Sequence, residues 1–402
     1  MKTTKFKPSE VGPIPEEWEV KRLRDVCDKI RNGYGYDFRE HGTYPMSRIE
    51  TISSGEINYS RVALIEDEPP PEYRLRPGDI LYSHINSLPY IGNIAQYDGS
   101  GCLYHGMNLL LVRPANTVDS VYLKYILKSE PMRNLARSAA KVAINQASIS
   151  TKELAQFQIV LPPRPEQEKI AEALSDVDAL LAAMTKLIEK KRAVKQGAMQ
   201  QLLTGQKRLA GFTGKWVEKR LGDVADFMTA TTPTASIDLR WYIGTENMLA
   251  DKAGVTQNFA SVPYKVVREY IKGDVLTSNI RPYLKKIWLA DRNGGCSTDV
   301  LVLRTHDRAV CIPEFLVMLV SDDAFFDFAM ANAVGTKMPR GDKKVLVNFE
   351  VRLPSVPEQQ AIASVLSDMD SEIVALEAEH AKYESIKQGM MQELLTGKTK
   401  IA

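Results

Sequence analysis

Cysteine is scarce and scattered in this chain of 402 residues. Its four cysteines, Cys27, Cys102, Cys296 and Cys311, form no CxxC pair, so their spacing predicts neither a disulfide framework nor a zinc site. Scattered thiols are typical of proteins from a reducing compartment, and we expect a cytoplasmic protein. The five histidines lack the HExxH spacing of zinc enzymes. The sequence therefore predicts no metal site.

Long apolar runs and a strong net charge are also missing. No apolar run approaches 18 residues, so we expect no membrane span, and the start MKTTKFKPSE lacks the apolar core of a signal peptide. The net charge of +2 permits nucleic-acid binding through local patches without indicating it. Composition is that of a soluble globular protein, and the length predicts two or more domains.

Catalytic signatures are the third absence. DEPPPEY, residues 67–73, superficially resembles the Asn/Asp-Pro-Pro-Tyr/Phe signature of amino-methyltransferases. That signature needs Asn or Asp directly before the two prolines, whereas here Glu68 separates Asp67 from the prolines. GKT, residues 397–399, lacks the earlier glycine of a phosphate-binding loop, since Gln392 occupies that place. There is no nucleophile elbow. A chain of this size without such motifs is more typical of a binding or scaffolding protein than of an enzyme.

A long-period repeat is the main positive feature. KQGAMQQLLTG at 195–205 recurs as KQGMMQELLTG at 387–397, and the match extends without a gap over 161–205 and 353–397. Weaker echoes are WEVKRLRDV with WVEKRLGDV, and PGDILYSHI with KGDVLTSNI. A period this long indicates a duplicated half-protein rather than a solenoid. Each half then consists of a variable globular block and a constant helical block.

The constant blocks carry an a/d heptad stripe, which predicts a coiled-coil seam. In the first block the stripe is Ile170, Leu174, Val177, Leu181, Met184 and Ile188. In the second block it is Ile362, Leu366, Met369, Ile373 and Leu376. A duplicated chain favours antiparallel pairing of the two helices about a pseudo-twofold axis. The alternative is a pair of unrelated amphipathic helices, each docked on its own domain.

Proline and glycine predict where these helices begin and end. Pro165 and Pro357 fall in the first turn, where a missing N–H costs nothing. Gly205 and Gly397 are plausible C-terminal stops. We therefore expect each helix to span almost the whole of its constant block.

The repeated helix ends predict a surface that is presented twice. Gly197 and Gly389 are costly inside a helix, by up to about 1 kcal/mol relative to alanine, and indicate the close approach of another backbone. The candidate partner-binding residues are Gln196, Met199, Leu202, Leu203, Gln388, Met391, Leu394 and Leu395. We expect this surface to hold the same partner twice or to close the chain on itself.

The variable blocks, residues 17–160 and 215–352, predict a mixed α and β structure. Short β-rich runs bounded by turn residues indicate strands: DILYS, NLLLVRP, DVLTS, KKIWLA and DVLVLRT. A helix is expected after them in each half, from near Ser120 and from Pro313. The predicted fold class is α+β, with two mixed α/β domains, two long antiparallel helices and a pseudo-twofold internal repeat.

Loops of the second block suit double-stranded DNA, because lysine suits phosphates while arginine and asparagine suit base edges. They are NIRPYLKK and GTKMPRGDKK. The candidates there are Asn279, Arg281, Tyr283, Lys285, Lys286, Lys337, Arg340 and Lys343.

The corresponding loops of the first block are polar but less basic. They are HINSLPYIGN and INQASIS, to which RNGYGYDFR adds charge and aromatic rings. The candidates are Arg31, Asn32, Tyr34, Tyr36, His84, Asn86, Tyr90, Asn145, Gln146 and Ser148. Each patch by itself is also compatible with a solvated loop. Their equivalent places in the two halves strengthen the argument for binding, and at this point both alternatives stay open.

The order of these features resembles the specificity subunit of a type I restriction-modification enzyme. The resemblance covers the whole chain. It rests on IPEEWEVKRLRDV, KWVEKRLGDVADF, LPPRPEQEKIAEALSDVDAL, LPSVPEQQAIASVLSDMDSE, the two KQG helix ends and GTKMPRGDKK. The Leu-Pro-x-x-Pro-Glu-Gln opening of a heptad helix, occurring twice, is its most specific element.

The resemblance implies target recognition domains at 1–160 and 208–352, each followed by a conserved helical region, at 161–207 and 353–402. The two domains would read the halves of a bipartite, asymmetric DNA site. The helices would set their spacing and dock two methyltransferase subunits, with restriction subunits joined through them. S-adenosylmethionine, ATP and Mg would be bound by those partners, with no cofactor and no catalysis in this chain.

Other functions stay open at this point. A stand-alone architectural DNA-binding protein would keep the recognition domains without partners, and capture of a methyltransferase subunit distinguishes the two. A fused enzyme is disfavoured by the missing cofactor motifs. A scaffold for small molecules or proteins would lack a salt-dependent affinity for DNA.

Overall fold

The protein is described by a computed structural model that covers residues 5–37, 41–144, 146–335 and 337–401. Its contacts divide the chain into two units, Met1–Thr185 with Glu379–Ala402, and Lys186–Ala378. Each unit therefore contains one variable block and a part of each constant helical block.

The first unit is a mixed α and β structure around an antiparallel four-stranded sheet of order β4–β10–β7–β9. Its strands are β1 Phe6–Lys7, β2 Ile14–Pro15, β3 Glu19–Arg22, β4 Cys27–Asn32, β5 Tyr44–Met46, β6 Ala63–Ile65, β7 Ile80–Ser83, β8 Ile85–Asn86, β9 Ile94–Gln96, β10 Leu109–Pro114, β11 Lys141–Ala143, β12 Gln146–Ser148 and β13 Gln158–Leu161. Its helices are α1 Ser120–Lys128, α2 Glu130–Ala139, α3 Thr151–Ala155, the first part of α4 Arg164–Leu203 and the last part of α8 Val356–Leu394.

The second unit repeats this order around the antiparallel sheet β15–β22–β19–β20. Its strands are β14 Val217–Arg220, β15 Ala225–Phe227, β16 Thr231–Pro233, β17 Tyr242–Ile243, β18 Val266–Tyr270, β19 Val275–Ser278, β20 Ile287–Leu289, β21 Gly294–Cys296, β22 Val300–Thr305, β23 Ala333–Val334, β24 Arg340–Gly341 and β25 Glu350–Leu353. Its helices are α5 Pro313–Ser321, α6 Asp323–Ala331, α7 Lys343–Leu346, the last part of α4 and the first part of α8 Val356–Leu394.

The strands predicted from continuous apolar runs form the central sheets because both faces of these sheets are covered. In β10, Leu110 and Val112 pack into the cluster that includes α1. Leu109 and Leu111 point the other way, into a second cluster. Successive side chains of a strand alternate between its faces, so a strand buried on both sides has no polar alternation. The predicted strands and the α+β fold class are confirmed.

The helix expected after these strands is two helices in each unit. In the first unit the backbone of Ser129 is extended (φ −65°, ψ 149°) and separates α1 from α2. In the second unit Asp322 takes the same conformation and its carboxylate accepts from the Ala324 N–H at 2.9 Å. A capping residue with extended backbone ends one helix and begins the next. The expectation of one continuous helix was wrong.

The long helices begin and end where the sequence predicted. Pro165 and Pro357 are each the second residue of their helix. After the last turns, Gly205 and Gly397 have positive φ of 72° and 70°, the left-handed conformation that terminates helices and that glycine adopts without strain. The 40 residues of α4 span roughly 60 Å at 1.5 Å per residue.

The heptad stripe is the packed face of both helices, and the helices pair in antiparallel directions. In the second unit Lys191 pairs with Glu372 at 2.6 Å and Lys195 pairs with Asp370. In the first unit Lys387 pairs with Asp178, and Thr185 Oγ1 lies 3.1 Å from His380 Nε2. Residue numbers rise along one helix as they fall along the other. The alternative of two unpaired amphipathic helices is therefore excluded.

The apolar helix ends lie in the cores. Met199, Leu202 and Leu203 are buried among residues of the second unit. Leu394 and Leu395 are buried in the first unit, and Met391 packs against that core. Because an interface residue must be accessible, these side chains are not a docking surface in this structure. Gln196 and Gln388 remain exposed.

The repeated helix glycines have no neighbour that requires them. A Cβ added at Gly197 or Gly389 would meet no atom within 4 Å. The close approach of a second backbone that we expected from the sequence does not occur within the described residues. Both glycines leave bare helix surface beside an exposed glutamine.

Candidate nucleic-acid interface

In the first unit, a hairpin brings separate candidate residues to one place. Strands β11 and β12 form the hairpin, and β12 pairs with β8, so that Ala147 lies opposite Asn86 and Ser148 opposite Ile85. The Ile149 N–H donates to the His84 carbonyl at 2.9 Å. Asn86, Gln146 and Ser148 thus lie in one small sheet, and this sheet together with the turn Leu88–Tyr90 is named here the first hairpin surface. The candidate His84 joins the sheet only through its backbone carbonyl, and the residue is only 7% exposed. Asn145 lies outside the described residues.

The second unit builds the same arrangement from different residues. Strands β23 and β24 form a hairpin, and Arg340 makes a β-bridge with Ile280. The Arg281 N–H donates to the Pro339 carbonyl at 2.9 Å, and the Gly341 N–H donates to the Asn279 carbonyl at 3.2 Å. The two predicted loops, 279–286 and 335–344, therefore form one second hairpin surface. In both units the hairpin follows a pair of helices and pairs with the residues that come directly after the equivalent central strand, β7 or β19.

The second hairpin surface contains strained backbone. Arg281 and Lys285 have φ of 51° and 48°, in the left-handed region, on either side of the turn Pro282–Leu284. Residues other than glycine seldom adopt this conformation, and it is often found at binding sites. The turn leaves Arg281 exposed and Tyr283 52% exposed.

The basic candidates of this surface divide into exposed and internally engaged groups. Arg281 and Lys337 are exposed, and Arg340 is half-exposed while its guanidinium contacts Asp299 at 3.1 Å. Lys285 instead pairs with Asp323 at 3.0 Å, and Lys286 Nζ donates to the Thr245 carbonyl at 2.7 Å. The exposed group is the part that a nucleic acid could reach.

Lys343 differs from the other lysines. Burial lowers the pKa of its ammonium group, and the neighbouring Arg268 lowers it further. A nearby anion would stabilise the charged form of a lysine in these surroundings. Lys343 is, however, less accessible than Lys337. Asn279 presents a buried Oδ1 without a hydrogen-bond partner among the described residues.

A cluster of aromatic residues adjoins the first hairpin surface. The Arg31 guanidinium lies 3.9 Å from the centre of the Tyr73 ring, and Tyr34 makes an edge contact with Tyr73 at 5.2 Å between centroids. Asn32 is exposed, and burial raises the pKa of Tyr36. Arg31 and His84 both act electrostatically on His105, which places this cluster beside the first hairpin surface.

Tyr90 belongs to a turn that leaves β8. The turn Leu88–Tyr90 follows Asn86, and the Tyr90 side chain is 55% exposed. Asn86 is held in place, since its Nδ2 donates to Ser83 Oγ at 3.2 Å and its Oδ1 accepts from the Ser87 N–H at 2.8 Å. This turn is the counterpart in sequence order of Pro282–Leu284.

Exposed apolar side chains on both hairpins are functional candidates that sequence reasoning missed. Val142 is 70% exposed and Ile144 95% exposed in the first unit. Val334 is 72% exposed and Met338 44% exposed in the second. Their shared position after the helix pairs is a signal that the sequence contains, but only the hairpin pairing shows that they are surface residues. Large exposed apolar groups at a common place indicate an interaction site.

Two histidines close to the first hairpin surface, His84 and His105, are buried. Burial lowers the pKa of His84 to about 4 and that of His105 to about 4, with Arg31 and His84 adding to the effect at His105. His105 Nε2 donates to the Leu109 carbonyl at 3.0 Å, which fits a neutral ring. The Nδ1 atoms of both rings have no partner among the described residues.

These histidines predict that the first unit loses stability on mild acidification. An unfolded histidine has a pKa near 6.5, so below that pH the unfolded state takes up protons that the folded state does not. The contribution of these histidines to the free energy of unfolding is fully present above about pH 6.5, and it decreases as the pH falls towards 4. Between pH 7 and pH 5 we expect a loss of about 1–2 kcal/mol for each histidine.

Hydrogen exchange of the full chain at pH 7 and pH 5, corrected for intrinsic rates, measures this effect. His84→Gln should remove about half of the pH dependence in the first unit. The second unit is the internal control, because its histidine, His306, has a side chain that is 38% exposed. Equal losses in the two units would contradict the explanation.

Two further features are absent from the described residues. No helix there is long and apolar enough to cross a membrane, and no group of three or more His, Cys, Asp or Glu side chains there could hold a metal ion.

The fold and the two surfaces define a duplicated protein, with like domains that present different side chains on similar frames. The family model of the type I restriction modification DNA specificity domain matches the chain twice, over residues 15–191 and 213–388. The chain belongs to this family. The predicted resemblance and the internal repeat are confirmed.

The relatives agree with this membership. The chain is 32% identical to a protein of Methanocaldococcus jannaschii assigned as the specificity subunit of type I restriction enzyme MjaX, with 100% of this chain and 98% of the relative covered. It is 24% identical to the MjaVIII specificity subunit of the same organism, over 96% and 94% of the two chains. It is 23% identical to the EcoKI specificity subunit of Escherichia coli, over 51% and 47%.

Solved structures show the same fold. The crystal structure of the S subunit of a type I restriction-modification system from M. genitalium covers 98% of each chain, with a TM-score of 0.59 and 15% identity. A structure that concerns complex assembly and conformational transition of a type I restriction-modification system gives a TM-score of 0.55 at 17% identity, over 96% and 99% of the chains.

Proposed function

We propose that the two hairpin surfaces read the two halves of a bipartite, asymmetric DNA site. One observation carries this proposal: the same hairpin-on-strand frame occurs in both units with different exposed side chains. The second hairpin surface presents Arg281, Tyr283 and Arg340, and the first presents Tyr90 and Gln146. Similar frames with different side chains suit two domains that read different bases. The recognition domains are residues 1–160 and 208–352.

Each surface combines the groups that DNA recognition needs. Arginine can make a bidentate contact with guanine, and glutamine or asparagine with adenine, while apolar groups contact the methyl group of thymine. The exposed Ile144 and Met338 fit the last of these roles. Exposed lysine, such as Lys337, fits phosphate. Different combinations at the two hairpins give an asymmetric site.

We also infer that the conserved helical regions, 161–207 and 353–402, hold two methyltransferase subunits. Support comes from equivalent exposed positions on the two helices. Val194 is 51% exposed and its counterpart Ile386 is 41% exposed. Beside them lie Gln196 with Gly197, and Gln388 with Gly389. The glutamine and the glycine recur in both copies, and a Cβ added at either glycine would meet no atom of the described residues within 4 Å. This is expected of a surface that binds the same partner twice.

The chemistry of such a complex belongs to the partners in this proposal. Methyltransferase subunits would bind S-adenosylmethionine, and restriction subunits would use ATP and Mg. This chain would contribute sequence recognition and assembly, in the cytoplasm. Capture of a methyltransferase subunit by the full chain distinguishes this function from that of a stand-alone DNA-binding protein.

Arginine substitutions in the second hairpin surface test the recognition proposal. Arg340→Ala or Arg281→Ala should cost roughly 1–3 kcal/mol in binding of the target duplex, because the substitution removes a bidentate hydrogen-bonding group, and should relax one base position of one half-site. The measurement is the affinity for a library of single-base variants of the site, identified from the methylation pattern of a host with the complete system.

Lys337→Ala is the matched control on the same surface. It should weaken target and random duplexes about equally and reduce the salt dependence of binding. If the arginine variants lose affinity equally for both duplexes, the arginines contact only phosphate, and base reading by this surface is disproved.

A further inference from the structure

A polar cavity lies next to the first hairpin surface. It has a volume of about 220 Å³ and is lined by Ser53, Ser54, Gly55, Gly92, Asn93, Ile94, Lys128 and Arg133. Gly92 and Asn93 continue the chain from the turn Leu88–Tyr90, which carries the exposed Tyr90. A ligand that lies along this turn would therefore meet the cavity next.

The cavity offers positive charge and hydroxyl groups but no carboxylate among its described lining residues. Arg133 Nη2 donates to Asn93 Oδ1 at 2.5 Å, which fixes the guanidinium at the wall. Its Nε is buried without a hydrogen-bond partner among the described residues. A buried donor of this kind is costly unless a ligand or water accepts from it.

Lys128 lies close to other positive charges. Burial lowers the pKa of its ammonium group, and the positive charges of Lys387 and Arg133 lower it further, against the opposing carboxylates of Asp178 and Glu56. Asp178 already pairs with Lys387. An anion in the cavity would relieve this repulsion and offer a counter-charge to the Arg133 guanidinium at the cavity wall.

The duplicated domain shows that the fold does not require these cations. In the aligned helix pairs, Ser321 and Phe326 stand where the first unit has Lys128 and Arg133. Phe326 is buried in the core. Near it, Asp323 is neutralised by Lys252 at 2.7 Å and Lys285 at 3.0 Å. The second unit thus has a buried apolar side chain and an ion-paired carboxylate in this region, whereas the first unit has two cations at a cavity.

We propose that this cavity binds a backbone phosphate of the DNA that lies on the first hairpin surface. The inference rests on the proposed function, and it adds a phosphate site that fixes the register of the first half-site. Lys128 and Arg133 donate to the phosphate oxygens, and the hydroxyl groups of Ser53 and Ser54 complete the cradle. A phosphodiester is recognised here by charge and shape alone, so this binding is independent of base sequence.

The experiment measures the affinity of the full chain for target and random duplexes over a range of salt concentrations. Removal of one cation that binds a phosphate should reduce the slope of log affinity against log salt by about 0.9. Lys128→Gln and Arg133→Gln should each reduce this slope and weaken both duplexes by the same factor, with an unchanged melting temperature for K128Q. Lys128→Arg should restore the wild-type slope.

Lys124→Gln is the matched control. Lys124 lies one helical turn before Lys128, but its Nζ sits over the Tyr125 ring at 4.3 Å and it does not line the cavity. The same change of charge there should leave the slope almost unaffected. Suppose that the wild-type chain binds DNA with a salt-dependent affinity, but that K128Q and R133Q leave the slope as unaffected as K124Q does. The phosphate site is then disproved, while the proposed function stands.

A separate measurement distinguishes DNA phosphate from a free anion. The melting temperatures of wild type and K128Q are compared with and without inorganic phosphate. Stabilisation of wild type alone, with an unchanged DNA salt slope in the variants, would mean a site for a free anion and would overturn the inference. A wild-type chain with no salt-dependent DNA affinity would overturn the proposed function and this inference together.

Discussion

Replacing Leu395 by alanine should lower the free energy of unfolding of the first unit by about 2–5 kcal/mol, since a leucine removed from a packed core leaves a cavity. Leu395 is 4% exposed and packs among residues of the first core. Leu203→Ala should have the same effect on the second unit, where Leu203 is 7% exposed. Hydrogen exchange of the full chain, resolved by segment, locates each loss.

The exposed residues beside these leucines provide the control. Gln196→Ala and Gln388→Ala should leave stability unchanged and, under the assembly proposal, weaken capture of a methyltransferase subunit. If Leu395→Ala and Leu203→Ala leave both units stable while partner capture fails, the leucines form the interface and the packing described here is incorrect. If the glutamine variants bind the partner normally, the docking surface lies elsewhere on the chain.

Replacing Asp79 by alanine should destabilise the first unit by about 3–5 kcal/mol, because the substitution leaves the Arg113 charge buried without its partner. Asp79 accepts from Arg113 Nε at 2.7 Å and from Nη2 at 2.6 Å, and also from the Arg76 N–H at 2.7 Å. Its side chain is 1% exposed and that of Arg113 is 9% exposed.

The second unit contains the matched comparison. Asp274 accepts from Arg304 in the same two-bond geometry, at 2.7 Å and 2.7 Å. The Arg304 side chain is 35% exposed, so water can solvate it once the carboxylate is removed. Asp274→Ala should therefore cost less than Asp79→Ala, by denaturant unfolding followed separately in each unit. Equal losses would show that the bonds to the turn backbone, rather than the stranded arginine, determine the effect.

The sequence predicted the two long helices well because the spacing of nearby apolar residues determines which face of each helix packs. Apolar residues alternately three and four apart can share a face only on a helix, so the stripe from Ile170 to Ile188 identified its packed side. The repeat then suggested antiparallel pairing. The helix pairs that follow the central sheets were missed, since the break at Ser129 depends on one capping residue within a run that otherwise favours helix.

The candidate site was predicted as loops and completed by pairing. The spacing of residues in sequence identified 279–286 and 335–344 as equivalents of 84–93 and 144–150, but not that β12 pairs with β8. Such pairing joins residues about 60 positions apart in the chain, and no local pattern encodes it. The exposed Ile144 and Met338 were missed for the same reason.

By itself the sequence determined the duplication, the heptad seam, the helix limits, the family and the loops in which candidate residues lie, since each of these follows from local order and spacing. Tertiary structure alone decided which apolar residues were available to a partner, because the fate of Leu203 and Leu395 depends on distant parts of the chain that cover them. Tertiary structure also decided which lysines and arginines pair with a carboxylate of the chain. Lys285 pairs with a carboxylate, while Lys128 and Arg133 both line a cavity. The interaction between charges depends on their distance in space and not on their separation along the chain.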